Sequence, residues 1–241
     1  MKKKIPNFSI GKVEIGRVPR IVAVIWGPRL LELAARAREE GADILEVRVD
    51  LFKKVNLVSL KRDLQVIRQK VGLPVIGTVR RKDEGGGRRY SERERLHLWK
   101  SLIPVIDAVD IELRSKRIIK EVVREARLRK RKILVSYHNL RETPRDEDLE
   151  ELACRAKGVG GDIIKIAVRA KNKDEVVRLM TFTYHCLYQP LVSISLGRAG
   201  VISRILAPFF GSCLTYAYVD NPVVPGQLSV SQLKEKLKKL F

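Results

Sequence analysis

The sequence predicts an α/β fold, a (β/α)8 TIM barrel in a single domain, on three observations. Short β-branched apolar runs alternate with helix-period stretches about eight times, at spacings on the order of 23 to 33 residues, the period of that fold. The length of 241 residues is near that of one such barrel. The first strand is not followed by G-x-G-x-x-G and no P-loop occurs, which disfavours the doubly wound open sheet. No break in composition marks a boundary, so residues 1–241 read as one domain.

Residues 1–18 form an N-terminal extension that closes one end of the barrel. The first strand is Ile21 to Ile25, and a helix-period stretch from Leu30 to Glu40 stops at Gly41. Ile44 to Val49 is the second strand, followed by a helix from Leu57 to Val71, and Val75 to Val79 is the third. Ser91 to Leu102 leads to the fourth strand, Ala108 to Leu113, and a long basic helix from Arg114 to Lys132 leads to the fifth, Ile133 to Tyr137. Asp146 to Lys157 precedes the sixth strand, Ile163 to Val168, which Gly161 and Asp162 open as turn residues. Asp174 to Tyr188 precedes the seventh, Leu191 to Ser195, and Val201 to Phe209 precedes the eighth, Leu214 to Tyr218. A last helix over 229–241 carries Leu233, Leu237 and Leu240 on one face.

A hydrophobic share of 45% is that of an ordinary globular protein. Met1 to Lys4 is basic, but Ile5-Pro6-Asn7 replaces the apolar core of a secretory signal, and no apolar run is long enough for a membrane span. Three cysteines without C-x-x-C spacing suit reduced thiols in the cytoplasm. The net charge of +21 admits an anionic substrate, nucleic acid or a merely solvated surface. The stretch from Arg114 to Lys132 holds ten lysines and arginines, yet no zinc-finger, RNA-recognition or KH pattern accompanies it. Abundant charge with few amides suits a heat-adapted source.

Catalytic groups in such a barrel lie at or just beyond the carboxyl ends of the strands. Lys165 stands late in the sixth strand amid Ile163, Ile164, Ile166 and Val168. A lysine there either snorkels into water or loses its proton and becomes a nucleophile toward ketones and aldehydes. Glu46 and Arg48 project to one side of the second strand, as a structural ion pair or as substrate contacts. Arg80 follows the third strand, His138 the fifth, Arg204 opens the helix after the seventh, and Gln227 follows the Pro225-Gly226 turn. Asp110 and Glu112 share a side of the fourth strand. His97 and His185 read as packing residues, and Gly85-Gly86-Gly87 as a flexible loop rather than a phosphate cradle. No His/Cys/Asp/Glu spacing suggests a metal site.

Six segments occur together in order. They are Glu46-Val47-Arg48-Val49-Asp50, Arg80 to Gly86, Ser136-Tyr137-His138-Asn139 with Thr143-Pro144, Asp162 to Val168, Gly200 to Arg204, and Pro225-Gly226-Gln227. Across nearly its whole length the chain resembles type I 3-dehydroquinate dehydratase, the barrel enzyme of the shikimate pathway. The resemblance implies Lys165 as the Schiff-base lysine and His138, with Glu84 beside it, as the general acid/base. It also implies Glu46, Arg48, Arg80, Arg204 and Gln227 as substrate contacts, no metal or nucleotide cofactor, and a homodimer. The chain departs from the family in carrying Val47 where relatives often have Trp, and Val223 where many have a hydroxyl residue.

The chemistry of these residue types agrees. An iminium on Lys165 is a better electron sink than a ketone, and nearby guanidinium groups of Arg48, Arg80 and Arg204 would help the amine shed its proton. An imidazole, titrating near about 6.5, can take and return a proton at neutral pH. The fork of Arg204 matches a carboxylate. The rivals are a barrel aldolase or transaldolase, which would use a strand lysine on sugar phosphates, and, outside enzymes, a basic nucleic-acid-binding protein.

Overall fold

The structure, a computed structural model, describes residues 8–16 and 18–241, so the rest of the expected N-terminal extension, residues 1–7 and 17, lies outside the described residues. An antiparallel hairpin of β1 (Phe8–Ile10) and β2 (Val13–Ile15) comes first. Eight parallel strands then follow in the order β10-β3-β4-β5-β6-β7-β8-β9. They are β3 (Arg20–Ile25), β4 (Ile44–Arg48), β5 (Val75–Thr78), β6 (Ala108–Glu112), β7 (Lys132–Asn139), β8 (Ile163–Arg169), β9 (Leu191–Leu196) and β10 (Leu214–Tyr218). The two outer strands meet where Cys213 N donates to Leu191 O at 2.9 Å and Ser193 N to Ser212 Oγ at 3.1 Å, bringing the sheet round into a nearly closed barrel.

The helices α1 (Leu30–Glu39), α2 (Leu57–Val66), α3 (Glu92–Leu102), α4 (Ile119–Leu128), α5 (Asp146–Gly158), α6 (Lys173–His185), α7 (Ser203–Phe209) and α8 (Val230–Lys238) alternate with the strands. Local chemistry sets several starts: Ser91 with Glu94 and Ser229 with Gln232 form capping boxes, and Asn56 and Asn172 accept the first free amides of α2 and α6. Each strand reads with a period of two. Leu45 and Val47 face the helices, while Ile44 joins the apolar floor inside the barrel. Val47 is therefore a helix-layer packing residue and leaves the interior of β4 to Glu46 and Arg48.

The hairpin covers that floor. Ile10 and Ile15 are buried against Val22, Ile44, Ile76, Ala108, Leu134 and Ile163 at the amino ends of the strands. Gly11 turns the hairpin at φ +55, close enough to Pro74 that an added Cβ would collide with it at 2.8 Å.

Three helices differ from their sequence pattern. The basic stretch from Arg114 to Lys132 is helical only from Ile119 to Leu128, because Ser115 to Ile118 turn back on themselves through Ile118 N to Ser115 O at 3.0 Å. The second helix widens into a π-turn over Ile67–Val71 and ends on left-handed Gly72. The sixth stops at His185, since Cys186 is extended ahead of Gln189-Pro190. His97 and His185 are exposed rather than packed in the core, and the His185 ring stands edge-on to Tyr184 with centroids 5.1 Å apart. No helix among the described residues is long and apolar enough to cross a membrane.

Candidate active site

Above the apolar floor the inward positions turn polar. Glu46, Thr78, Asp110, Ser136 and Lys165, from five neighbouring strands, meet across the lumen, with Tyr216 beside them from β10. Two residues on along their strands stand Arg48, Arg80, Glu112 and His138. His138 lies inside β7 rather than after it, since that strand runs to Asn139.

Lys165 is 3% exposed, so it does not snorkel into solvent. Its Nζ lies 2.8 Å from Asp110 Oδ2, 3.5 Å from Glu46 Oε1 and 3.9 Å from the centre of the Tyr216 ring. The sequence suggested guanidinium neighbours for this amine. Its nearest charged partners are instead carboxylates, and Arg80 grips the same Asp110 through two 3.0 Å hydrogen bonds, one of them to the Oδ2 that the lysine also holds. Burial opposes ionisation of Asp110, but Arg80 and Lys165 outweigh it and hold its carboxyl well below the usual carboxylate range.

Glu84 closes a short 3-10 turn, Lys82–Glu84, and is buried. Its Oε2 accepts from the His138 backbone N–H at 2.9 Å and lies 3.1 Å from Nδ1. Burial, reinforced by the charge of Glu112, raises the Glu84 carboxyl to about 7. Burial, followed by the charges of Arg80 and Lys165, pushes the His138 imidazole well below its ordinary value. The imidazole is thus neutral at pH 7. With Nδ1–H donated to Glu84, Nε2 is left to take a proton. Arg114 approaches Glu84 to 4.0 Å and lies over the Tyr137 ring at 4.7 Å.

Glu46 and Arg48 do not pair with each other. Glu46 takes Thr78 Oγ1 at 2.5 Å and the lysine, whereas Arg48 forks onto Asp50 at 2.9 and 2.7 Å. Asp50 also accepts from the backbone of Arg80 at 3.1 Å and Gly87 at 3.0 Å. The triple-glycine segment is consequently pinned, not loose, and at Gly86 a Cβ would run into the Arg80 carbonyl.

Arg204 is 5% exposed, and among the described residues no carboxylate lies within ion-pairing distance of it. Its guanidinium reaches only the backbone oxygens of Gly226 at 3.3 Å and Tyr216 at 3.4 Å, and burial lowers it to about 10. A buried cation in that condition is a ready seat for an anionic ligand group. Gln227 turns its Oε1 back to the Val223 N–H at 2.9 Å, so the backbone at Val223 fastens this loop without a hydroxyl side chain. Arg204 is linked to the lysine through Tyr216, Gln227 bonds only within its own loop, and neither touches Lys165 or His138 directly.

Several functional neighbours escape sequence reasoning. Asp50, Thr78, Ser136 and Tyr216 lie in strands or motifs without a distinguishing pattern. The period of β6 places Asp110 and Glu112 on one side but does not say what they face. Arg95 is the clearest omission: with Leu98, Trp99 and Leu102 it occupies the i, i+3, i+4, i+7 face of α3, the signal that it is buried. Among the described residues no group of three or more His, Cys, Asp or Glu is arranged to hold a metal ion.

An α/β barrel with an amine, an imidazole–carboxylate pair and an unpaired guanidinium at the carboxyl ends of its strands has the build of a barrel enzyme acting on a small anionic carbonyl compound. The type I 3-dehydroquinase family model matches residues 24–241. The 3-dehydroquinate dehydratase of Methanococcoides burtonii is 34% identical over 232 residues, 96% of this chain and 98% of that one. That of Methanocella arvoryzae is 38% identical over 222 residues, 91% and 96% of the two chains. The crystal structure of the Geobacillus kaustophilus 3-dehydroquinate dehydratase superposes with a TM-score of 0.92 at 28% identity, covering 98% of this chain and 96% of that one. The chain belongs to the type I 3-dehydroquinase family and is an enzyme of that class.

Proposed function

We propose that the protein dehydrates 3-dehydroquinate to 3-dehydroshikimate by syn elimination through a covalent imine on Lys165. The observation that carries this reading is the enclosure of the Lys165 amine beside a neutral His138 oriented by Glu84. Deprotonated Nζ adds to the ring ketone, and loss of water gives an iminium. Nε2 of His138 takes the α-proton, and the electron pair moves into the iminium to form an enamine. The enamine expels the β-hydroxyl group, which leaves as water with the proton His138 returns. Hydrolysis of the new iminium then frees the product and the amine.

In this reading Arg204 receives the substrate carboxylate, which the absence of a carboxylate partner favours. Glu46, Arg48, Arg80 and Gln227 orient the ring hydroxyls, and no metal or nucleotide takes part. Covalent chemistry has a parallel in a structural neighbour: the Clostridium difficile type I 3-dehydroquinate dehydratase, 29% identical with a TM-score of 0.90, is described with covalently modified comenic acid. The whole chain acting as one barrel domain, a homodimeric state, a heat-adapted source and a cytoplasmic location with free Cys154, Cys186 and Cys213 complete the proposal.

The test is turnover of 3-dehydroquinate by wild type and by Lys165→Ala, followed through absorbance of the conjugated product. Wild type is expected to turn over and the variant to be inactive while keeping its circular dichroism. A folded variant with an unchanged rate removes the mechanism.

A further inference from the structure

The buried charges extend beyond the barrel wall. Arg95 belongs to α3 in the helix layer, yet it is 1% exposed. Its guanidinium donates to Val79 O at 3.0 and 2.9 Å, to Ser115 Oγ at 2.7 Å, to Glu92 Oε1 at 2.8 Å and to the Glu112 carboxylate. Glu112 points inward from β6 and also accepts from Arg80 Nη1 at 3.1 Å, the Arg81 N–H at 3.0 Å and Ser115 Oγ at 3.0 Å. Arg80 continues to Asp110, and Asp110 to the amine of Lys165. An unbroken line of alternating charges thus joins a helix on the outside of the barrel to the nucleophile within it.

We infer that Arg95 is a positioning residue for the Lys165 amine: by satisfying Glu112 it leaves Arg80 to Asp110, and so limits how strongly Asp110 holds the amine. The inference rests on the reading of Lys165 as the imine-forming lysine. The groups facing that amine are Asp110, Glu46 and His138, with the Tyr216 ring, and Arg80 reaches both of those carboxylates. Those facing Glu112 are Arg80, Arg95, Ser115, the Arg81 N–H and the charge of Glu84.

The sign follows from charge balance. Without Arg95, Glu112 draws Arg80 toward itself and away from Asp110. Asp110 then turns more of its charge on the Lys165 amine, and imine formation is held back to higher pH. Removing Glu112 has the opposite effect, and removing both restores the balance.

The experiment measures the rate of imine formation with 3-dehydroquinate, quenched by borohydride across a pH series and counted as adduct on Lys165. It compares wild type, Arg95→Met, Glu112→Gln and the double variant, each checked for folding by thermal melting. Arg95→Met is expected to move the acid limb up by about one pH unit, Glu112→Gln to move it down, and the double variant to overlay wild type. A folded Arg95→Met profile identical to wild type, or a double variant that keeps the single variant's shift, overturns the inference. If Arg95→Met does not fold, Glu112→Gln and the double variant decide: a limb that stays put in Glu112→Gln, or a double variant displaced from wild type, overturns it. A wild type that never forms an adduct would count against the proposed function, not against Arg95.

Discussion

At the scale of single residues, what distinguishes this site is how its protons are held. Glu84 is raised to about 7 by burial and by Glu112, while burial, Arg80 and Lys165 keep the neighbouring imidazole neutral. As pH falls through about 7, Glu84 gains a proton and ceases to be an ionic acceptor for Nδ1–H, so activity should fall with it. Glu84→Gln should flatten that step in the pH–rate profile and lower kcat by roughly 10²- to 10⁴-fold, the range that a well-positioned proton-transfer group is worth. A steady-state pH series on both proteins checks this. His138→Ala is expected to trap an imine but stall before elimination, which mass spectrometry after reduction would show; no trapped adduct in that variant would reassign the histidine. Lys165, His138 and Arg204 were legible as candidates through the six ordered motifs that resemble the family, since each residue taken alone also had a structural reading. The surroundings of Lys165 were not: Asp110 and Tyr216, which touch the amine, and Thr78 and Ser136, which hold its carboxylates, gain meaning only when five strands and a sixth converge on one lumen.

At the scale of elements, Asp50 ties β4, the exit of β5 and the glycine segment together. Burial works against its charge, but the fork of Arg48 with the amides of Gly87 and Arg80 outweighs it, and its carboxyl is lowered. A lowered folded value contributes stability that is present above the unfolded value and lost as pH falls through the folded one. The Asp50 contribution is therefore fully in place at pH 7 and disappears only on strong acidification. Asp50→Asn should cost about 3 kcal/mol or more by leaving Arg48 buried without its counter-charge, measured by urea unfolding at neutral pH. It should also raise KM by releasing the Glu84 turn. The strands and most helices were readable from their periods of two and 3.6, but three helix ends were not. The Ser115 to Ile118 turn, the π-turn after Val66 and the stop at Cys186 are decided by what the chain packs against, whereas a helical pattern records only which face is apolar.

At the scale of the whole molecule, the barrel divides its labour between its ends. The floor beneath the hairpin is apolar and serves stability; the opposite face holds the buried charges of the candidate site. Ile10→Ala, which empties a fully buried position under the hairpin, should cost about 2–5 kcal/mol in unfolding free energy while leaving kcat and KM unchanged. Thermal melting alongside kinetics separates the two effects. The net charge of +21 is the property least explained by this division, since it names no partner by itself.

The central claim is that substrate becomes covalently attached to the enclosed lysine. Borohydride reduction in the presence of 3-dehydroquinate, followed by digestion and mass spectrometry, tests it most directly. The expected result is the mass of the reduced substrate adduct on the peptide bearing Lys165, lost in Lys165→Ala. Full turnover without any adduct, or an adduct confined to another lysine, would contradict it.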